Sequence, residues 1–126
     1  METRIVKSKT RHEELMELVS YKPLVSRERW FTLSLPEQLG NIGSEVGRAA
    51  KWQGKDDASF WGATARALEL FDLTREDPRW RQRRPELDRA RESFADAVLG
   101  GQEYQSTLPD LERYLMHFAF FARRAS

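Results

Sequence analysis

Apolar residues recur at steps of three and four along four stretches of the chain. Each series is typical of the buried face of an α-helix, which repeats about every 3.6 residues. The series are Leu35, Leu39, Ile42, Val46 and Ala49; Phe60, Ala63, Ala67, Leu70, Phe71 and Thr74; Leu87, Ala90, Phe94, Ala97 and Val98; and Leu111, Leu115, Phe118, Ala119 and Ala122. No segment alternates with the period of two that marks a strand. The pattern therefore predicts four main helices and no sheet.

Signals for helix starts and stops separate these four series. Ser34 followed by Glu37 forms a capping box, in which each side chain bonds the other residue's backbone N–H. The other signals are Gly54 with Asp56 or Asp57 as the next cap, a turn at Asp77-Pro78 with a restart at Pro85, a stop at Gly100-Gly101, and Thr107 with Asp110. Because the turn between the first two main helices is short, we expect antiparallel neighbours.

The region before Ser34 is patterned less clearly. Residues 1–12 are polar and basic, and we expect a flexible arm. The apolar residues Leu15, Met16, Leu18 and Val19 predict a short helix from Glu13 that ends before Pro23. Residues 20–33 are interpreted as a linker that tucks Trp30-Phe31 against the body. The expected fold is all-α: an antiparallel up-down four-helix bundle with a short extra N-terminal helix, forming one domain over residues 13–126.

Composition restricts the classes of protein to be considered. The chain has 126 residues, enough to bury a core, and contains no Cys. We therefore expect neither disulfides nor thiolate chemistry, and a cytoplasmic location fits the absence of Cys, of an apolar signal segment and of a membrane-spanning run. The formal net charge of +1 indicates no partner by itself. However, 16 of the 21 cationic residues are Arg, the side chain that binds phosphate bidentately.

An arginine-rich segment follows the second main helix. It combines Trp80 with cations at Arg75, Arg79, Arg81, Arg83 and Arg84. Arg beside an aromatic ring is suited to gripping phosphates and stacking bases. A second basic group, Arg48 and Lys51, lies near the end of the first main helix, so we list all eight residues as candidate nucleic-acid contacts. The alternative is a solvated loop of Arg–acid pairs in which Trp80 closes the end of the bundle.

Two further features predict a subunit interface. Gly40, Gly43 and Gly47 lie inside the first main helix, where each glycine costs about 1 kcal/mol. We expect them to allow close approach of another backbone, either within the chain or across an oligomer. The last helix is apolar on more than one face, with Phe118, Phe120 and Phe121 as its largest residues. Such a helix favours burial against a partner, and hence a homo-oligomer.

No motif for catalysis or metal binding emerges. The carboxylates Glu37, Glu45, Glu69 and Asp72 lack the Glu-x-x-His pattern of di-metal bundles, and His12 and His117 are the only histidines. We expect no enzyme activity, no metal and no cofactor. An enzyme would need His117 or these carboxylates to converge in one pocket.

Residues 42–49, Ile-Gly-Ser-Glu-Val-Gly-Arg-Ala, precede a charged turn and then Ala67-Leu68-Glu69-Leu70. This arrangement resembles small prokaryotic four-helix-bundle proteins of the diversity-generating-retroelement accessory type, over residues 38–74. The resemblance implies an oligomer of bundles whose basic surface engages RNA or DNA, with a reverse transcriptase as partner. This chain departs from that type in its near-neutral charge and few Lys. Residues 67–80 are also similar to uncharacterised small helical proteins of prokaryotes, a resemblance that implies no function.

Taken together, the sequence predicts a non-catalytic oligomeric accessory protein that binds RNA or DNA through the Arg/Trp surface. The alternative is a protein-interaction or scaffold subunit that acts through its apolar last helix.

Overall fold

The computed structural model describes residues 26–125, and this part of the chain is all-α without a strand. The elements are α1 (Arg27–Trp30), α2 (Leu35–Trp52), α3 (Asp57–Glu76), a 3-10 helix (Pro78–Arg83), α4 (Arg84–Val98) and α5 (Leu108–Ala125). The predicted arm at 1–12 and the predicted helix from Glu13 lie outside the described residues. None of the described helices has the length and apolar character needed to span a membrane.

Local sequence signals determine the ends of these helices. The capping box is confirmed: Ser34 Oγ accepts from the Glu37 N–H at 3.3 Å, and the Glu37 carboxylate accepts from the Ser34 N–H at 2.8 Å. Gly54 has a φ of 74°, a left-handed conformation that suits glycine just beyond α2. Thr107 Oγ1 accepts from the Asp110 N–H at 3.2 Å and so caps α5.

The predicted apolar series form one buried core. All members of the series on α2, α3 and α4 are buried, as are Leu111, Leu115, Phe118 and Ala119 on α5. The Phe71 and Phe94 rings join α3 to α4, with centroids 5.8 Å apart. The side chain of Ala122 lies outside the described part of the chain. The periodic pattern therefore identified the inward face of each main helix.

Contacts between helices show which elements are neighbours. α2 packs against both α3 and α5, and α4 also contacts both. Between α3 and α4, Arg91 Nε lies 2.7 Å from Asp72 Oδ1, and Arg75 pairs with Asp88. Residue numbers therefore increase along α3 while those of the paired residues decrease along α4.

Two of the three glycines of α2 face α5 of the same chain. Gly43 is buried, and a Cβ placed on it would lie 3.8 Å from Leu115 Cβ. A Cβ on Gly47 would lie 2.5 Å from Glu112 Oε2. For both residues, the structure shows the intramolecular alternative, so the interface predicted at Gly43 and Gly47 is occupied within the chain. A Cβ on Gly40 meets no described atom within 4 Å.

Part of the predicted linker at 20–33 is helical instead. Ser26 caps α1 by accepting from the Arg29 N–H at 3.2 Å. Trp30 is buried and donates from Nε1 to Thr74 Oγ1 at 3.0 Å. The predicted docking of the aromatic pair is confirmed for Trp30, and Phe31 packs half-buried against the core.

Candidate functional site

The arginine-rich segment contains a buried carboxylate, that of Asp77. Asp77 caps the 3-10 helix by accepting from the Arg79 N–H at 3.0 Å. The Arg79 guanidinium returns to the same carboxylate, with Nη2 2.7 Å from Asp77 Oδ2, and Nη2 also donates to the Leu33 carbonyl at 2.7 Å. Arg79 therefore joins the turn after α3 to the segment before α2, because its Nε and Nη2 atoms both donate to acceptors of the same chain.

A fully buried amide, Gln38, organises the same end of the molecule. Its Nε2 donates to the Trp30 carbonyl at 2.9 Å and to Asp77 Oδ2 at 3.2 Å. Its Oε1 accepts from Trp80 Nε1 at 2.8 Å. Gln38 thus connects α1, the 3-10 helix and the first turn of α2. We call Trp30, Gln38, Asp77, Arg79 and Trp80 the polar cluster.

The predicted base-stacking residue Trp80 belongs to this cluster. Its ring is half-buried, and the Arg79 guanidinium carbon lies 4.4 Å from the ring centroid. One face of the indole is therefore already covered by a cation of the same chain. The cation on this face and the hydrogen bond from the indole N–H match the alternative, in which Trp80 closes the end of the helices.

Electrostatics in the polar cluster favour the ionised pair. Burial acts to raise the pKa of Asp77, but hydrogen bonds from Arg79 and Gln38 prevail and hold that pKa below its ordinary value. The hydrogen bond to Asp77 likewise raises the pKa of Arg79. This carboxylate and guanidinium are thus charged together across the ordinary pH range.

The other predicted contacts differ in how far they are engaged. Arg75 pairs with Asp88, and Arg84 donates to the Arg75 carbonyl at 3.0 Å, where it caps the last turn of α3. Arg83 lies over the Phe118 ring, 5.7 Å from its centroid. Arg81 is exposed and has no ion pair within residues 26–125. The segment is therefore a set of Arg–acid and Arg–backbone contacts with Arg81 and parts of Arg83 and Arg84 facing solvent.

Arg48 and Lys51 lie toward the other end of α2. Ten residues separate Gln38 from Arg48, which corresponds to roughly 15 Å along a helix. Arg48 Nη1 lies 3.0 Å from Glu45 Oε1, and Lys51 Nζ lies 5.1 Å from the centroid of the Trp52 ring. The structure therefore does not merge these two cations with the segment around Trp80.

The outer face of α5 carries exposed apolar side chains. Met116, Phe120 and Phe121 are 58%, 52% and 61% exposed. The rings of Phe120 and Phe121 meet edge to face with centroids 5.8 Å apart. Phe118 differs, because it is buried on the core face under Arg83, as its place in the apolar series of the last helix predicts, and little of its side chain is left for the predicted subunit interface.

Sequence reasoning missed two polar residues that organise the molecule. Gln38 lies one turn before Ile42, and this position on the apolar face could have revealed a buried amide. Arg66 on α3 joins Arg48 at Glu45, with Arg66 Nε 3.3 Å from Glu45 Oε1. Nothing local to residue 66 marks this contact, because it depends on how α2 and α3 pack.

The described residues contain no group of three His, Asp or Glu placed to hold a metal ion. His117 is exposed, Glu45 faces two arginines, and Asp72 pairs with Arg91. No protein-family model matches the chain, and no curated protein or solved structure matches it significantly. The resemblance of residues 38–74 to retroelement accessory proteins therefore stays a prediction.

Proposed function

We propose that this protein is a non-catalytic cytoplasmic subunit that assembles with copies of itself through the outer face of α5. In this proposal α2 to α5 form an antiparallel up-down four-helix bundle. The paired contacts of Gly43 with Leu115 and of Gly47 with Glu112 support opposite directions for α2 and α5. Another side of α5, which carries Phe120 and Phe121, is exposed, with no helix from residues 26–125 packed over these side chains.

The observation that carries the proposal is the exposure of Met116 and Phe121. More than half of each side chain is accessible, and the Phe120 ring adjoins Phe121. Covering such side chains removes apolar surface from water, at about 25 cal/mol for each Å². Contiguous exposed apolar groups of this kind mark interaction surfaces on soluble proteins.

The charge along α5 favours a second copy of this chain as the occupant of the face. The first turns of α5 carry Asp110 and Glu112 against a single cation, Arg113, and are net acidic, whereas the last turn carries the exposed Arg123. In an antiparallel pair of α5 helices, the acidic end of one copy lies beside the basic end of the other. This two-fold arrangement is self-complementary, as closed dimers require.

Light scattering tests the proposal. The wild-type mass should be a multiple of the 14.8 kDa chain, and Phe121→Glu should reduce it toward 14.8 kDa. The matched control is Tyr104→Glu, which changes an exposed aromatic residue in the loop before α5 and should leave the mass unchanged. A wild-type mass of 14.8 kDa at all concentrations would contradict the proposal. An equal reduction of the mass by both variants would contradict it as well. Circular dichroism checks that both variants keep their helix content.

Nucleic-acid binding is the second candidate function. The observation in its favour is that Arg81, Arg84 and part of Arg83 face solvent at one end of the molecule. Phosphate contacts by these residues would make binding to RNA or DNA weaken as salt rises. Replacing Arg81 and Arg84 by Gln should weaken an oligonucleotide shift, whereas Arg113→Gln on α5 should not. By resemblance alone, a reverse transcriptase is a candidate protein partner.

A further inference from the structure

A concave surface feature lies between the C-terminal half of α2 and the first turns of α3. The cavity has a volume of about 350 Å³ and opens to solvent. Its walls are formed by Arg48, Trp52, Ala58, Ser59, Gly62 and Arg66. The volume falls within the range of about 300–1,000 Å³ that small-molecule sites occupy. None of these residues belongs to the proposed α5 face.

One carboxylate lies within ion-pair distance of two arginines from different helices that line this cavity. Glu45 Oε1 lies 3.0 Å from Arg48 Nη1 and 3.3 Å from Arg66 Nε. The Glu45 side chain is only 13% exposed, while those of Arg48 and Arg66 are 58% and 39% exposed. A guanidinium has five N–H donors, so Glu45 leaves most of them available to a ligand. The two guanidinium groups therefore lie beside the same carboxylate, and both arginine side chains are partly exposed to solvent.

The remaining wall residues offer an apolar ring and a small polar rim. Trp52 is half-buried, with Lys51 Nζ 5.1 Å from its ring centroid. Ser59 Oγ donates to the Asp56 carboxylate at 2.5 Å, at the start of α3. Gly62 has no side chain to fill the floor, and a Cβ there would lie 3.5 Å from Arg66 Nη1. The cavity thus combines two guanidinium groups, an indole and open space.

We propose that this cavity binds a phosphate monoester that carries a planar ring, as a nucleoside monophosphate does. Arg48 and Arg66 would contact the phosphate, because the guanidinium fork matches its oxygens. Trp52 would stack on the ring.

The charge of the cavity predicts moderate, salt-sensitive binding. Arg48 and Arg66 supply two positive charges, Glu45 removes one, and the Asp56 carboxylate accepts a hydrogen bond from the wall residue Ser59. Lys51 adds a cation beside Trp52. The small positive excess therefore favours one phosphate group over the extended backbone of a long nucleic acid.

Calorimetric titration of the full chain with adenosine monophosphate tests this proposal. The expected result is saturable binding with one site per chain, weakened at least about tenfold by Arg66→Gln and by Arg48→Gln. Arg113→Gln, which alters an exposed arginine on α5, is the matched control and should leave the affinity unchanged. Because Arg48 is largely exposed, its variant should fold normally, which circular dichroism verifies.

Two further titrations separate the parts of the ligand. Inorganic phosphate should bind more weakly than the nucleotide, and Trp52→Leu should reduce the affinity for the nucleotide toward that for phosphate. No saturable binding of the nucleotide at millimolar concentration would overturn the proposal. It would also be overturned by an affinity that neither arginine variant changes. These outcomes are independent of the mass measured for the α5 variants.

Discussion

Replacing Gln38 by Leu tests the importance of the polar cluster for stability. The Gln38 amide is fully buried and makes hydrogen bonds to the Trp30 carbonyl, to Asp77 and to the Trp80 indole. Leu is similar in size, so the change removes hydrogen bonds and creates little empty space.

The expected loss follows from the partners that remain. At about 1 kcal/mol for each hydrogen bond, three bonds amount to about 3 kcal/mol. The Trp30 carbonyl retains the Leu33 N–H at 3.1 Å, and Asp77 retains Arg79. Burial of the added apolar surface offsets about 1 kcal/mol. We therefore expect Gln38→Leu to lower the free energy of unfolding by about 2 kcal/mol, a large share of the 5–15 kcal/mol that is typical of a domain.

Urea unfolding followed by circular dichroism measures this loss. Gln82→Leu on the 3-10 helix is the matched control, because Gln82 is exposed, and it should change stability by less than about 0.5 kcal/mol. Gln38→Glu keeps an oxygen for the Trp80 indole but places a carboxylate beside Asp77, so it should destabilise at least as much as Leu. If Gln38→Leu behaves like the Gln82 control, the polar cluster does not stabilise the fold as argued.

Other predictions concern stability at single positions. The folded protein lowers the pKa of Asp77 below the unfolded-state pKa of about 3.9, so this carboxylate stabilises the fold above that pH and loses its contribution as the pH falls through the folded-state pKa. Asp77→Asn should therefore flatten the loss of stability between about pH 5 and pH 2, measured by urea unfolding. An unchanged pH profile would contradict this prediction. Gly101→Ala should destabilise by more than about 1 kcal/mol in thermal melts, since φ is 73° and a Cβ would lie 2.6 Å from the Ser106 carbonyl oxygen. Gly40→Ala should instead stabilise by about 1 kcal/mol, because a Cβ there meets no described atom within 4 Å; equal effects of the two glycine changes would refute this comparison.

The helices could be predicted because their causes are local. The capping box at Ser34 and Glu37 involves residues three apart, and the apolar series repeat within a few turns. An apolar stripe on a helix is stabilised by packing against another element instead of facing water. The same pattern therefore also indicated which face of each helix becomes buried. The structure accordingly matches the sequence on the starts of α2 and α5 and on the core faces.

The candidate surfaces depended on contacts that a single helix does not encode. The charge run around Trp80 suggested an open cationic surface, but Arg75 meets Asp88, and Arg79 meets the Leu33 carbonyl, only once the chain folds. Such pairings depend on the packing of distant segments and could not be assigned from spacing alone.

Cross-linking through a single introduced cysteine tests the central claim, self-assembly through α5, most directly. The chain contains no Cys, so a disulfide in His117→Cys can only join two copies. His117 is exposed one turn before Phe120 and Phe121, and a disulfide requires Cα atoms within about 7 Å. Under mild oxidation, His117→Cys should form covalent dimers, whereas Gln102→Cys in the loop before α5 should remain monomeric. Equal cross-linking of both variants, or none by His117→Cys, would contradict the proposed pairing of α5 helices.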